Sequence, residues 1–138
     1  MIVYLDTSTV LRVVLAQAEV LSDFGRWEKA YSSELLGIEV RRLLDRLRLE
    51  SALDDIGLAS AHQETAKLER AIGRVRLTRP VLRRASLPMP TVVKTLDALH
   101  LATALLLQER RGLDIAFATH DAQQAIAARA LGFHCIGA

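Results

Sequence analysis

Cysteine, aromatic residues and long apolar runs are all scarce in this sequence, and each scarcity excludes something. Cys135 is the only cysteine among 138 residues, so no internal disulfide can close, and a reducing cytoplasm is the expected setting. No stretch approaches the roughly 18 consecutive apolar residues of a membrane span, so no membrane association is expected. The opening MIVYLDTSTV has no basic segment before a long apolar run and no small-residue cleavage site, which argues against a secretory signal. Aromatics make up only 4%, which leaves the core to Leu, Val, Ile and Ala. No Cys/His set at zinc spacing, glycine-rich phosphate loop, Ser-His-Asp candidate or CxxC motif is present.

With 51% hydrophobic and 25% charged residues, the chain has a globular composition and is long enough for one domain spanning residues 1–138. The net charge of +2 is modest, but 15 of the 18 basic residues are arginine, the better bidentate ligand for phosphate. Several cluster, as at Arg41, Arg42, Arg46 and Arg48. Solvated helix faces would account for such clusters equally well.

The apolar patterning alternates between strand and helix. Residues 2–6 (IVYLD) read as a strand, 7–17 as a helix, and 30–33 (AYSS) as a short strand. Residues 17–29 read as a helix end followed by a loop or a second short helix. Helices are expected over 33–50 and 54–75, with a short one beginning near Pro80 and stopped by Pro88 and Pro90. The clearest helix covers 91–112 and closes at Gly112. Strand 114–119, helix 120–132 and strand 133–137 complete the chain. Strands joined by helical crossovers predict an α/β fold, a parallel sheet flanked by helices.

Parallel sheets bind ligands beyond the C-terminal ends of their strands. Asp6 closes the first predicted strand, and Asp121 follows the AFAT strand where the next helix begins. Glu39 and Asp97 lie within helices on partly apolar surroundings; Asp97 is flanked by Leu96, Ala98 and Leu99. Each acid also has an ordinary role open to it. Asp6 and Asp121 suit helix N-caps, Glu39 can pair with Arg42 at i+3, and Asp97 with Lys94 or His100. His100 reads as a packed histidine hydrogen-bonded beside the site, His120 as an exposed one, and Cys135 as a small core residue. If the four acids converge, they repel one another unless cations stand between them. An all-oxygen set of this kind suits Mg²⁺ or Mn²⁺, and the chemistry is metal-assisted phosphodiester hydrolysis or phosphoryl transfer.

Four segments carry a family resemblance: VYLDTSTVLRVVL, SSELLGIEVRRLL, KTLDALHLATALLL and AFATHDAQQAIAARALGF. In their order and spacing the chain resembles a PIN domain, specifically the VapC-type toxins of type II toxin–antitoxin pairs. That resemblance implies a PIN-like three-layer α/β/α sandwich with a central parallel sheet, and a Mg²⁺-dependent endoribonuclease in which Mn²⁺ can substitute. It places the catalytic acids at Asp6, Glu39, Asp97 and Asp121. Asp6 and Asp97 are then the principal metal ligands, Asp121 helps complete the metal pocket, and Thr7, Ser8 and Thr119 support it. It further implies a homodimer, a cognate antitoxin that pushes an Arg or Lys into the pocket, and structured RNA targets, transfer RNA or a ribosomal RNA loop. Two departures stand out. Gln123 and Gln124 occupy the region where some relatives carry a further Asp or Asn, and His120 replaces an aromatic or small residue. Two other functions compete. One is a Mg²⁺-dependent phosphatase or phospho-acceptor with Asp6 as nucleophile, against which Ser8 stands where a second Asp is usual. The other is an RNA-binding module that does not cleave.

Overall fold

The computed structural model describes residues 1–138. Its first half runs β1 (Ile2–Leu5), α1 (Thr7–Val14), β2 (Lys29–Ser33), α2 (Leu36–Leu49), α3 (Asp55–Ala71) and β3 (Gly73–Val75). The second half adds α4 (Arg79–Ala85), α5 (Thr95–Arg111), β4 (Ile115–Ala118), α6 (Ala122–Ala130) and β5 (His134–Ile136). All five strands are parallel, in the order β3-β2-β1-β4-β5.

The central strand explains the layering. Successive side chains of a strand point to opposite faces, and β1 is apolar on both, as a parallel strand buried on two sides must be. Val3 and Leu5 join one cluster with Val10, Val14, Leu36, Val40 and Leu44 from α1 and α2. Tyr4 joins the opposite cluster with Leu101, Leu105, Phe117, Ala127 and Phe133 from α5, β4, α6 and the approach to β5. Helices therefore cover both faces, giving the expected three layers. The few aromatics are concentrated on the second face, where Tyr4 stacks on Phe117 with ring centroids 5.5 Å apart.

One segment differs from the expectation. The helix predicted over 54–75 ends at Ala71, and Gly73–Val75 becomes the edge strand β3. Gly73 lies opposite Tyr31 of β2, and a Cβ there would come within 2.9 Å of the Tyr31 ring. Close packing against that ring explains why glycine begins the strand. Of the two alternatives open for the segment after α1 the loop forms: residues 17–28 are turns, bends and irregular chain, with Glu19 at positive φ. β2 gains Lys29 ahead of the predicted strand, and most other elements appear with trimmed ends. The longest trim is at α5, which starts at Thr95, four residues after the predicted Thr91.

Polar contacts lock α2, α3 and β3 together on the first face. Glu69 of α3 accepts from Arg41 of α2 at 2.5 and 3.1 Å and from Arg74 of β3 at 3.3 Å. The Arg41 hydrogen bond, partly opposed by burial, holds the Glu69 carboxyl below the usual glutamate range. A depressed carboxylate contributes stability above its unfolded pKa and loses it as pH falls through the folded one. Glu69→Gln is therefore expected to lower stability at pH 7 by about 1 kcal/mol. In urea titrations the difference from wild type should close as the pH drops below the glutamate range; a constant difference would show that packing, not charge, is responsible.

Candidate active site

The sheet order reverses about β1, so the crevice beyond the ends of β1 and β4 is where a ligand site is expected. Asp6 directly follows β1, and Asp121 stands three residues past β4. Glu39 lies in the first turn of α2 and Asp97 in the first turn of α5. All four carboxylates line one cavity of about 480 Å³, together with Thr7 and Ser8. The acids grade from buried to exposed: Asp6 is buried, Glu39 and Asp97 are half-buried, and Asp121 is exposed.

The N-cap roles of Asp6 and Asp121 hold as well as the shared pocket. Asp6 Oδ1 accepts the Thr7 N–H at 2.8 Å, and Asp121 Oδ1 accepts the Gln123 and Gln124 N–H groups at 2.9 and 3.3 Å. Asp6 Oδ2 accepts the hydroxyls of Thr119 at 2.7 Å and Ser8 at 3.2 Å. Thr119 Oγ1 in turn accepts the Asp121 N–H at 3.0 Å, and Ser8 Oγ accepts the His120 N–H at 3.0 Å. Thr119 and Ser8 thus join the end of β1 to the loop between β4 and α6. This is the location the sequence resemblance assigned to supporting hydroxyls.

Glu39 does not pair with Arg42, the ordinary partner its i+3 spacing offers. Its Oε1 lies 2.7 Å from His100 Nε2 and accepts the Thr7 hydroxyl at 3.0 Å. His100 is fully buried, and its Nδ1 lies 2.7 Å from the Tyr4 hydroxyl, which is itself buried. A carboxylate can only accept, so Nε2 carries a proton and donates to Glu39. Burial pulls the His100 pKa down, but the Glu39 hydrogen bond and the charges of Asp6, Glu39 and Asp97 outweigh it, and the net direction is up. Burial above all, then the Asp6 charge, lifts the Tyr4 hydroxyl well above the usual tyrosine range. Tyr4 and His100 thus form a buried brace behind Glu39. The packed reading of His100 was available from its apolar flanks. Tyr4 could have been suspected only from its place two residues before Asp6, on the strand face that turns away from Leu5.

Gln124 shows what the departure from relatives does here. It is buried, and its amide donates to the Asp97 carbonyl oxygen at 3.1 Å, tying the start of α6 to the first turn of α5. His120 differs from the expectation of exposure. It is partly covered, with Nδ1 donating to the Gly137 carbonyl at 3.0 Å and Nε2 buried without a partner. Arg42 and Arg46 of α2 also line the cavity, a position that their clustering did not indicate.

The donor set suits a hard divalent cation, since it is all oxygen and acidic. As the side chains stand, no group of three or more His, Cys, Asp or Glu is arranged to hold a metal ion. Both Asp6 oxygens, Glu39 Oε1 and Asp121 Oδ1 accept hydrogen bonds from the protein. The mutual repulsion is nonetheless visible at Asp97, whose pKa is raised first by burial and then by Asp6 and Asp121.

A family model described as the PIN domain matches residues 3–130. The chain belongs to the PIN domain family. Among curated PIN relatives it is similar to "Ribonuclease VapC47" of Mycobacterium tuberculosis (strain CDC 1551 / Oshkosh), with 28% identity over 95% of this chain and 93% of that protein. The layered parallel sheet is the PIN-like fold that the four sequence segments implied, and those segments supply the four acids of the cavity.

In the PIN site Asp97 carries a stability cost that can be measured. A carboxyl whose folded pKa lies above its unfolded pKa destabilises once the pH exceeds the unfolded value, and the penalty is complete above the folded one. Asp97→Asn is therefore expected to stabilise the metal-free protein at pH 7 by up to about 1 kcal/mol, as active-site acids often cost stability. Thermal unfolding in a chelator, at pH 7 and at pH 4, measures it: the gain should shrink at the lower pH, and a destabilised variant at pH 7 would refute the repulsion.

Proposed function

We propose that this PIN domain is a divalent-metal-dependent endoribonuclease, the toxin of a type II toxin–antitoxin pair. The observation that carries the reading is the convergence of Asp6, Glu39, Asp97 and Asp121, from four separate elements, on one cavity at the sheet's switch point. The similarity to a protein named a ribonuclease supports RNA as the substrate.

In this reading Asp6, Asp97 and Asp121 hold Mg²⁺, with Mn²⁺ as a substitute. When bound, the ion polarises the scissile phosphate and supplies a nucleophilic water. Thr119 and Ser8 fix the Asp6 carboxylate by donating to Oδ2. Glu39, which lines the cavity and is kept in place by His100 and Thr7 through Oε1, would serve as the proton acceptor for the attacking water. The backbone of a structured RNA, such as a transfer or ribosomal RNA loop, would meet the pocket from its open side, where Asp121 is exposed. The same reading brings a homodimer, a cytoplasmic location, and an antitoxin whose Arg or Lys competes with the ion. The phospho-acceptor alternative is disfavoured because Ser8 stands where a second Asp is usual, two positions after Asp6.

The test compares purified wild type, Asp6→Asn and Asp97→Asn on total cellular RNA with Mg²⁺ or Mn²⁺. Wild type should cut at discrete positions, each variant should fall by at least about a hundredfold, and a chelator should abolish cleavage. Expression of wild type should arrest growth and expression of the variants should not. Intact RNA with every metal tried would leave an RNA-binding module; a phosphorylated Asp6 would indicate the phospho-acceptor.

A further inference from the structure

The four arginines of α2 divide into two kinds. Arg41 is fixed on Glu69 at 2.5 and 3.1 Å, and Arg48 on Asp45 at 2.9 and 3.3 Å. Both lie away from the acid-lined cavity. Arg42 and Arg46 line it. Their ion pairs are the loosest on the helix: 3.4 Å from Arg42 to an Asp45 that Arg48 already holds, and 3.9 Å from Arg46 to Glu50. Their side chains are also the most exposed, 72% and 67% against 44% for Arg41 and 51% for Arg48. Neither pairs with any of the four carboxylates, even though Arg42 is one turn from Glu39. An exposed pair of this kind is worth little and yields readily to a better anion.

Glu39, Arg42 and Arg46 occupy successive turns of one helix face. Arg42 and Arg46 are separated along the axis by about 6 Å, four residues of α-helical rise, comparable with one nucleotide step of an extended strand. Guanidinium groups grip phosphate in a bidentate fork. The cavity also adjoins a second hollow, which shares Ser8, Leu11, Leu43 and Asp121 with it and is lined by Arg12. Arg12, however, is occupied: it donates to the Glu19 carbonyl at 3.1 Å and the Glu19 carboxylate at 3.2 Å. Of the arginines at the cavity and the adjoining hollow, Arg42 and Arg46 are therefore the loosely held ones, and both belong to α2.

We propose that Arg42 and Arg46 bind two successive backbone phosphates on one flank of the bond to be cut, giving the enzyme a one-sided footprint on single-stranded RNA. The inference rests on the nuclease reading and adds to it the direction in which the substrate lies. The acids at the foot of α2 handle the scissile phosphate, and the ladder above them sets register without reading sequence.

The experiment uses full-length protein and a fluorescent single-stranded oligoribonucleotide whose cut site has been mapped with wild type. Arg42→Ala and Arg46→Ala should each raise KM roughly three- to tenfold with kcat within about twofold, and each should lower the salt slope of RNA binding by about 0.7. Lysine at either position should restore part of the loss. Arg48→Ala, on the same helix with the same charge, should change neither. Trimming nucleotides from one flank should erase the Arg42 and Arg46 effects, and trimming the other should preserve them.

An equal loss in Arg48→Ala, or sensitivity to both flanks alike, would overturn the ladder while leaving the nuclease reading intact. Competition by polyglutamate as effective as by RNA of equal charge would also overturn it, marking a general anion patch or a protein-docking surface. Binding measured by anisotropy on an Asp97→Asn background separates the two readings. RNA bound through Arg42 and Arg46 without cleavage by wild type refutes the nuclease and keeps the ladder; RNA neither bound nor cut refutes both.

Discussion

Repulsion among four carboxylates is the constraint to which the rest of this structure answers. Asp6 caps α1, Asp121 caps α6, and Glu39 and Asp97 sit in the first turns of α2 and α5. Each acid thus occupies the positive end of a helix, where an anion is favoured by roughly 0.3–1 kcal/mol. Four helices aimed at one point supply partial positive charge from the backbone itself. At Asp97 burial first, and then the charges of Asp6 and Asp121, still raise the pKa, so the helix ends do not offset the whole cost. The remainder is a concentrated negative field at the mouth of the pocket, open to any cation that enters it.

Holding the acids together takes more than helix ends. β1 is buried on both faces and carries three of the site's supports in consecutive positions. Tyr4 points to one face and braces His100, Leu5 packs on the other, and Asp6 emerges at the end. His100 reaches across from α5 to Glu39 on α2, so the buried Tyr4 and Glu39 in the cavity belong to one hydrogen-bonded line. Removing a partner from such a buried line leaves an unsatisfied group and costs about 1–3 kcal/mol. The geometry of the site is consequently tied to the stability of the second core.

Much of this was legible before any coordinates. Asp6 and Asp121 follow apolar β-forming runs, and strand ends in parallel sheets are where ligands bind. Asp97 interrupts an apolar helix, which a charge does not do without a partner. What the residue order concealed were contacts between distant segments. The i+3 spacing of Glu39 and Arg42 suggested a surface pair, but His100, 61 residues away in sequence, takes the Glu39 carboxylate. β3 was read as the tail of α3 because Gly73 and Val75 interrupt a helical pattern too briefly to register, and only the Tyr31 ring across the sheet accounts for the glycine. Four clustered arginines on α2 look alike in sequence; their division into tightly and loosely paired depends on Glu69 and Asp45 and on where the cavity opens.

The placement of β1 at the centre of the sheet also has a bearing on when the pocket exists. β1 is the first strand made, yet one of its neighbours, β4, comes more than a hundred residues later, and the Thr119 hydroxyl that orients Asp6 is 113 residues downstream. At ribosomal rates of about 5–20 residues per second, the interval is on the order of ten seconds. During that time Asp6 and Glu39 have been synthesised without Asp121, and the crevice between β1 and β4 has no second wall. A growing chain of this topology therefore carries an unassembled pocket until β4 and the loop after it, with Thr119 and Asp121, have been made.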